Sequence, residues 1–98
     1  MVDDIKRLHA IVHGRVQGVS FRYYTTLKAR ELDITGWVLN RRDGTVEVVA
    51  EGHTDTLETL KQWLQEGSPA ANVTQLEAAL GTATGEFTTF ETVYFKQG

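Results

Sequence analysis

The sequence predicts an α+β fold in which an antiparallel sheet carries two helices on one face, and three observations predict it. Strand-like alternation appears near both ends of the chain, two amphipathic stripes mark helices between them, and Asp43 and Gly44 interrupt two β-rich runs. With 98 residues there is room for one core, so 1–98 is expected to form a single domain.

Leu8, Ala10 and Val12 alternate with Arg7, His9 and Ile11, the period of a half-buried strand. After a glycine-containing stretch, Phe21, Thr25, Ala29 and Leu32 share one helical stripe, which predicts a helix from about Phe21 to Asp33. The runs TGWVLNRR and TVEVVAE then flank Asp43 and Gly44 as a hairpin, through either a two-residue turn or a three-residue turn with a glycine bulge. A second helix is expected from about Asp55 to Glu66, with Leu57, Leu60 and Leu64 as its buried stripe and Trp63 beside it. Asp55 and Glu58 are spaced as a capping box, and Gly67 followed by Pro69 supplies the stop. NVTQLEAAL and FETVYF read as closing strands around the polar segment GTATGE, so the last strand region is expected to be broken in two. The order β-α-β-β-α-β is that of the ferredoxin-like split βαβ sandwich.

Composition narrows the function. Hydrophobic residues make up 41% of the chain and proline occurs once, as in an ordinary globular protein. Cysteine is absent, which leaves neither disulfides nor thiolate metal sites and suits a reducing compartment. No apolar leader opens the sequence and no apolar run approaches 18 residues, so a cytoplasmic protein without a membrane partner is expected. Between His13 and Arg42 lie six bases and two acids, whereas the remainder holds four bases and eleven acids. Positive charge gathered in one part of an acidic chain suits a small anion better than nucleic acid, which would require a basic surface throughout.

The stretch HGRVQGVSFR, residues 13–22, stands where a strand gives way to a helix. Such a junction offers unpaired N–H groups, and glycines at positions 14 and 18 permit the tight turn that gathers them into an anion-binding nest. Ser20 occupies the expected N-cap, which places Arg22 in the first helical turn. A cation there opposes the helix dipole at a cost of about 0.3–1 kcal/mol, and an anion held between amides and guanidinium would reverse that sign. The glycine spacing by itself favours a plain β-α turn with an exposed arginine; the misplaced Arg22 turns the reading toward an anion site. Neither a Walker A loop nor a dinucleotide fingerprint is present. His9, His13 and His53 lack zinc-site spacing, so no metal and no cofactor is expected. His13, beside the loop, is a candidate for tuning local charge, and Tyr23 and Tyr24 read as packing or surface residues.

GRVQGVSFR together with GWVLNRRDGTVEVVAEG resembles the two signature motifs of the acylphosphatases, small ferredoxin-like hydrolases of carboxyl-phosphate anhydrides. The resemblance spans the chain in length and element order. It implies that the loop Arg15, Val16, Gln17, Gly18, Val19, Ser20 and Phe21 cradles a phosphoryl group, that Arg22 binds it, and that Asn40 positions the attacking water. It further implies a small-molecule acyl phosphate as substrate, inorganic phosphate or sulfate as competing anion, and a monomer. Ser20 stands where the family often has glycine, and Leu39 where it usually has a basic or polar residue. FETVYF is similar to the family's closing strand.

Overall fold

Alternation in residues 5–15 produces β1 (Ile5–Arg15), whose Leu8, Ala10 and Val12 turn toward the core. The computed structural model describes residues 4–94. Following β1 are α1 (Phe21–Glu31), β2 (Thr35–Asn40), β3 (Val46–His53), α2 (Thr54–Glu66), β4 (Asn72–Thr82) and β5 (Phe90–Val93). The strands form one sheet in the order β4-β1-β3-β2-β5. Val46, Val48 and Ala50 lie on the same face as the β1 trio, and Phe21 and Ala29 of α1 and Leu57, Leu60 and Leu64 of α2 pack against it. Each buried leucine or phenylalanine of this layer contributes about 1.5–3 kcal/mol. None of the helices described is long and apolar enough to cross a membrane.

The sheet is mixed rather than wholly antiparallel. β1 pairs antiparallel with β3 and β4, and β2 with β3, but β5 runs parallel to β2, with Gly36 opposite Phe90. The direction follows from the connection: β5 returns antiparallel to β4, and placed on the far edge of the sheet it must run with β2. The Gly36 N–H donates to the Thr89 carbonyl at 3.0 Å, and Arg30 Nε donates to the Phe90 carbonyl at 3.0 Å, docking the strand against β2 and α1. Of the expected FETVYF strand, Phe95 lies outside the described residues. β4 extends two residues beyond NVTQLEAAL into the polar segment.

Helix ends depart from the expected ones for local reasons. α1 stops at Glu31, because Asp33 takes a left-handed φ of 57° and the Ile34 N–H turns back to the Ala29 carbonyl at 2.9 Å. The capping box at Asp55 and Glu58 does not form. α2 begins one residue earlier, its N-cap is His53, and the Asp55 carboxylate accepts from the adjacent Thr56 N–H at 2.9 Å. The stop at Gly67 is as expected: its φ is 77° and its N–H donates to the Trp63 carbonyl at 2.8 Å.

The hairpin question resolves as a three-residue turn with a glycine bulge. Asn40 pairs with Val46, the Arg41 N–H donates to the Thr45 carbonyl at 2.9 Å, and the Gly44 N–H donates to the Arg41 carbonyl at 3.2 Å. Gly44 supplies the positive φ of 92° that the bulge requires. Asp43 accepts from the Thr45 hydroxyl and N–H at 2.6 and 3.0 Å, and those bonds hold its carboxyl below the usual carboxylate value. This register sets Asn40 on the helix-bearing side of the sheet, at the end of β2.

Candidate active site

β1 delivers the chain to the site through an irregularity. Its register with β4 shifts between His13 and Gly14, and a β-carbon on Gly14 would run into the backbone of Asn72 and Thr74. Gly14 is therefore needed for close approach to β4 rather than for contact with an anion. Gly18 differs: it has a φ of 73° and open space where a β-carbon would stand. Ser20 also takes a left-handed conformation, at φ 60° and ψ 26°. It is the N-cap residue, as expected, but its hydroxyl makes no capping bond.

The side chains of the loop hold it in place. Val16 and Val19 are buried in the core, and the Ser68 hydroxyl donates to the Val19 carbonyl at 2.8 Å. Gln17 reaches outward to the hairpin and donates to the carbonyls of Arg41 and Thr45. Among the described residues the backbone N–H groups from Gln17 to Arg22 meet no acceptor, and Tyr24 is the first whose N–H is taken, by the Ser20 carbonyl at 3.2 Å. A run of unpaired amides at a helix N-terminus, with two left-handed residues bending it, is a donor surface for an anion.

That surface opens onto a cleft of about 440 Å³ lined by Val16, Gly18, Ser20, Phe21, Arg22, Tyr23, Asn40, Thr92 and Tyr94. Among the described residues no acidic one lines it. The structure thus brings Arg22 and Asn40 to one cavity with half of the loop. Arg15, Gln17 and Val19 do not line it: Arg15 ends β1 opposite Asn72, and the other two side chains point into the anchoring contacts just described.

Arg22 has no carboxylate partner among the described residues, and the first turn of α1 holds no acid. Its guanidinium lies 5.0 Å from the centre of the Tyr94 ring. At an exposed site such stacking is worth about 0.5–1 kcal/mol, close to the dipole penalty of about 0.3–1 kcal/mol, so the two nearly cancel. Asn40 carries the opposite imbalance. Its Oδ1 is buried and has no donor among the described residues, at a cost of about 1–3 kcal/mol.

A second hollow of about 560 Å³ adjoins the first at Asn40 and Tyr94, bounded by Leu39, Arg41, Arg42, Asp43 and Glu47. His13 is directed away from the cleft, with Nε2 2.5 Å from Glu77, and His9 meets Glu47 at 2.7 Å. Among the described residues no three histidine or acidic side chains converge as metal ligands would. Sequence reasoning missed Thr92 and Tyr94, although the alternation of FETVYF puts them on one face with buried Phe90. It also missed Tyr23 as a lining residue, and the hairpin contact of Gln17, for which the sequence holds no local signal.

Three comparisons bear on this arrangement. A family model described as Acylphosphatase matches residues 8–92. An acylphosphatase of Methylococcus capsulatus is 49% identical over 86 residues, covering 88% of this chain and 94% of the relative, and one of Marinobacter nauticus is 49% identical over 90 residues, covering 92% and 98%. The crystal structure of acylphosphatase from Bacillus subtilis superposes with a TM-score of 0.88 at 37% identity, covering 91% of this chain and 99% of that one.

Proposed function

The chain belongs to the acylphosphatase family and is an enzyme that hydrolyses acyl phosphates, and from that premise we propose which of its groups do the work. The loop amides from Arg15 to Phe21 and the guanidinium of Arg22 hold the phosphoryl oxygens, and Asn40 orients the attacking water. The observation that carries this reading is that Asn40, whose buried Oδ1 has no donor among the described residues, lines the same cleft as Arg22 beside the unpaired amides.

The chemistry fits those groups. Water forms a bond to phosphorus as the bond from phosphorus to the acyl oxygen breaks, and the electron pair departs on a carboxylate. A carboxylate is already a good leaving group, so no strong acid is required. What remains is to fix the phosphoryl group, spread its charge and aim one water in line. Amides and Arg22 supply the first two, at about 10²–10³-fold in rate for a single stabilising donor. The Asn40 carboxamide accepts a hydrogen bond from the water and so directs its lone pair, without acting as a strong base.

In the same reading the chain is one domain over 1–98 and works as a cytoplasmic monomer, in keeping with its cysteine-free composition. It needs no metal or cofactor, because Arg22 and the amides supply the positive charge. Inorganic phosphate or sulfate, which presents the same tetrahedral oxygens, competes with the substrate. Continuous assay of benzoyl phosphate hydrolysis tests the reading: the rate is expected to be the same with and without a chelator, and phosphate to inhibit competitively. Activity abolished by chelator and restored by Mg²⁺ or Zn²⁺, or purely noncompetitive inhibition, would overturn it.

A further inference from the structure

We infer that the side chain of Gln17 is a positioning residue for hydrolysis, locking the hairpin turn that follows Asn40 to the phosphoryl-binding loop. Its Nε2 has two hydrogens, and both are used: one bonds the Arg41 carbonyl at 2.7 Å and the other the Thr45 carbonyl at 2.9 Å. Those carbonyls bracket the turn, and Arg41 is the residue after Asn40.

The turn does not need Gln17 to close. The Arg41 N–H already donates to the Thr45 carbonyl and the Gly44 N–H to the Arg41 carbonyl, so Gln17 takes a further lone pair on each oxygen. What its bonds add is a link between two loops that the sheet joins only indirectly. The binding loop hangs from β1 and Asn40 from β2, with β3 between them. Val16 and Gly18 on either side of Gln17 line the cleft that Asn40 also lines. The Gln17 bridge therefore sets the spacing between the phosphoryl group and the water aimed at it. A misplacement of about 1 Å in such geometry is enough to cost about 10²-fold in rate.

The inference rests on the reading that Asn40 aims the water, and the test keeps the two apart. Gln17→Met keeps the length of the side chain and removes both donors. Turnover of benzoyl phosphate is expected to fall about tenfold while the inhibition constant of inorganic phosphate shifts less than about twofold, the signature of an interaction that matters in the transition state. In an Asn40→Ala background the same substitution should have almost no further effect, because the water it helps to place is no longer held. Gln17→Glu adds a pH signature. Its carboxylate would face two carbonyl oxygens at neutral pH, and turnover should recover as the carboxyl gains a proton and with it one donor; the unsubstituted enzyme lacks that limb.

Native turnover in folded Gln17→Met would overturn the assignment. So would a parallel loss of phosphate affinity, which would make Gln17 part of the shape of the binding loop, or full additivity with Asn40→Ala. Near-native turnover of Asn40→Ala alone would instead remove the reading on which the inference stands.

Discussion

The two ends of β1 are built from the same parts and finished differently. At the first end Arg7 lies 5.0 Å from the centre of the Phe87 ring and donates through Nε to Glu51 at 2.6 Å, while the Thr84 and Gly85 N–H groups donate to the same carboxylate at 2.9 and 3.0 Å. At the second end Arg22 lies 5.0 Å from the centre of the Tyr94 ring, and a run of backbone N–H groups stands beside it. Each end has an arginine, an aromatic ring and unpaired amides to satisfy. Among the described residues only the first has a carboxylate of its own, on a side chain that is 4% exposed. The first end shows how this chain grips an anion when folding supplies one; the second holds matching donors, which in the proposed function take an anion from outside.

The difference teaches what separates a structural cluster from a binding one. Burial would raise the Glu51 carboxyl, but hydrogen bonds from Thr84 and Gly85, and then the bond and charge of Arg7, carry it below its ordinary value of 4.5. The folded enzyme therefore gains stability from ionised Glu51 above that value and loses it as pH falls through the lowered one. Around Arg22 no described group plays this part.

Breaking the second end should have the larger effect. Arg22→Ala removes the only cation that lines the cleft among the described residues, so kcat/KM for benzoyl phosphate should fall by about 10²–10³-fold and phosphate inhibition should weaken with it. Arg22→Lys tests whether the planar fork or only the charge matters, and recovery to near-native kcat/KM would argue against bidentate grip.

Breaking the first end should act on stability instead. Glu51→Gln is expected to cost about 2–3 kcal/mol in denaturant unfolding, less than a fully buried pair because Arg7 is partly exposed. The folded variant should keep its turnover. In the parent enzyme the same stability should decline on acidification below 4.5, and the decline should be shallower in Glu51→Gln. A loss of turnover matching the loss of stability would show that the two ends are not independent.

The smallest effect expected comes from completing the second end with an external anion. Inorganic phosphate at ten times its dissociation constant should stabilise the fold by about 1.4 kcal/mol, seen as a rise in Tm. Arg22→Ala should abolish that rise and Glu51→Gln should leave it intact.

Much of this was legible in the sequence wherever the signal was local. The Leu57, Leu60 and Leu64 stripe, the Asp43 and Gly44 turn and the out-of-place Arg22 each announce themselves within a few residues. The capping box misled because Asp55 sits one residue inside a helix whose start is set by Thr54, and propensity does not distinguish those positions. The parallel pairing of β5 was hidden for a different reason. It follows a connection over residues 83–89 that is bonded to Glu51, whose partners Thr84 and Gly85 lie 33 and 34 residues away, beyond any local signal. The strand itself was expected from FETVYF, but that Tyr94, just past its end, lines the cleft was not. Gln17 was legible as part of the binding loop but not as a bridge, since its acceptors are backbone carbonyls without sequence identity.

The proposed function divides binding and attack between Arg22 with its amides and Asn40. The most direct test is to measure, on folded Asn40→Ala enzyme, both kcat for benzoyl phosphate and the inhibition constant of inorganic phosphate. The kcat is expected to fall by at least about 10²-fold with the phosphate constant nearly unchanged, because the bound anion does not require that side chain. A folded Asn40→Ala enzyme with near-native turnover, or one whose phosphate affinity collapses along with its rate, would contradict it.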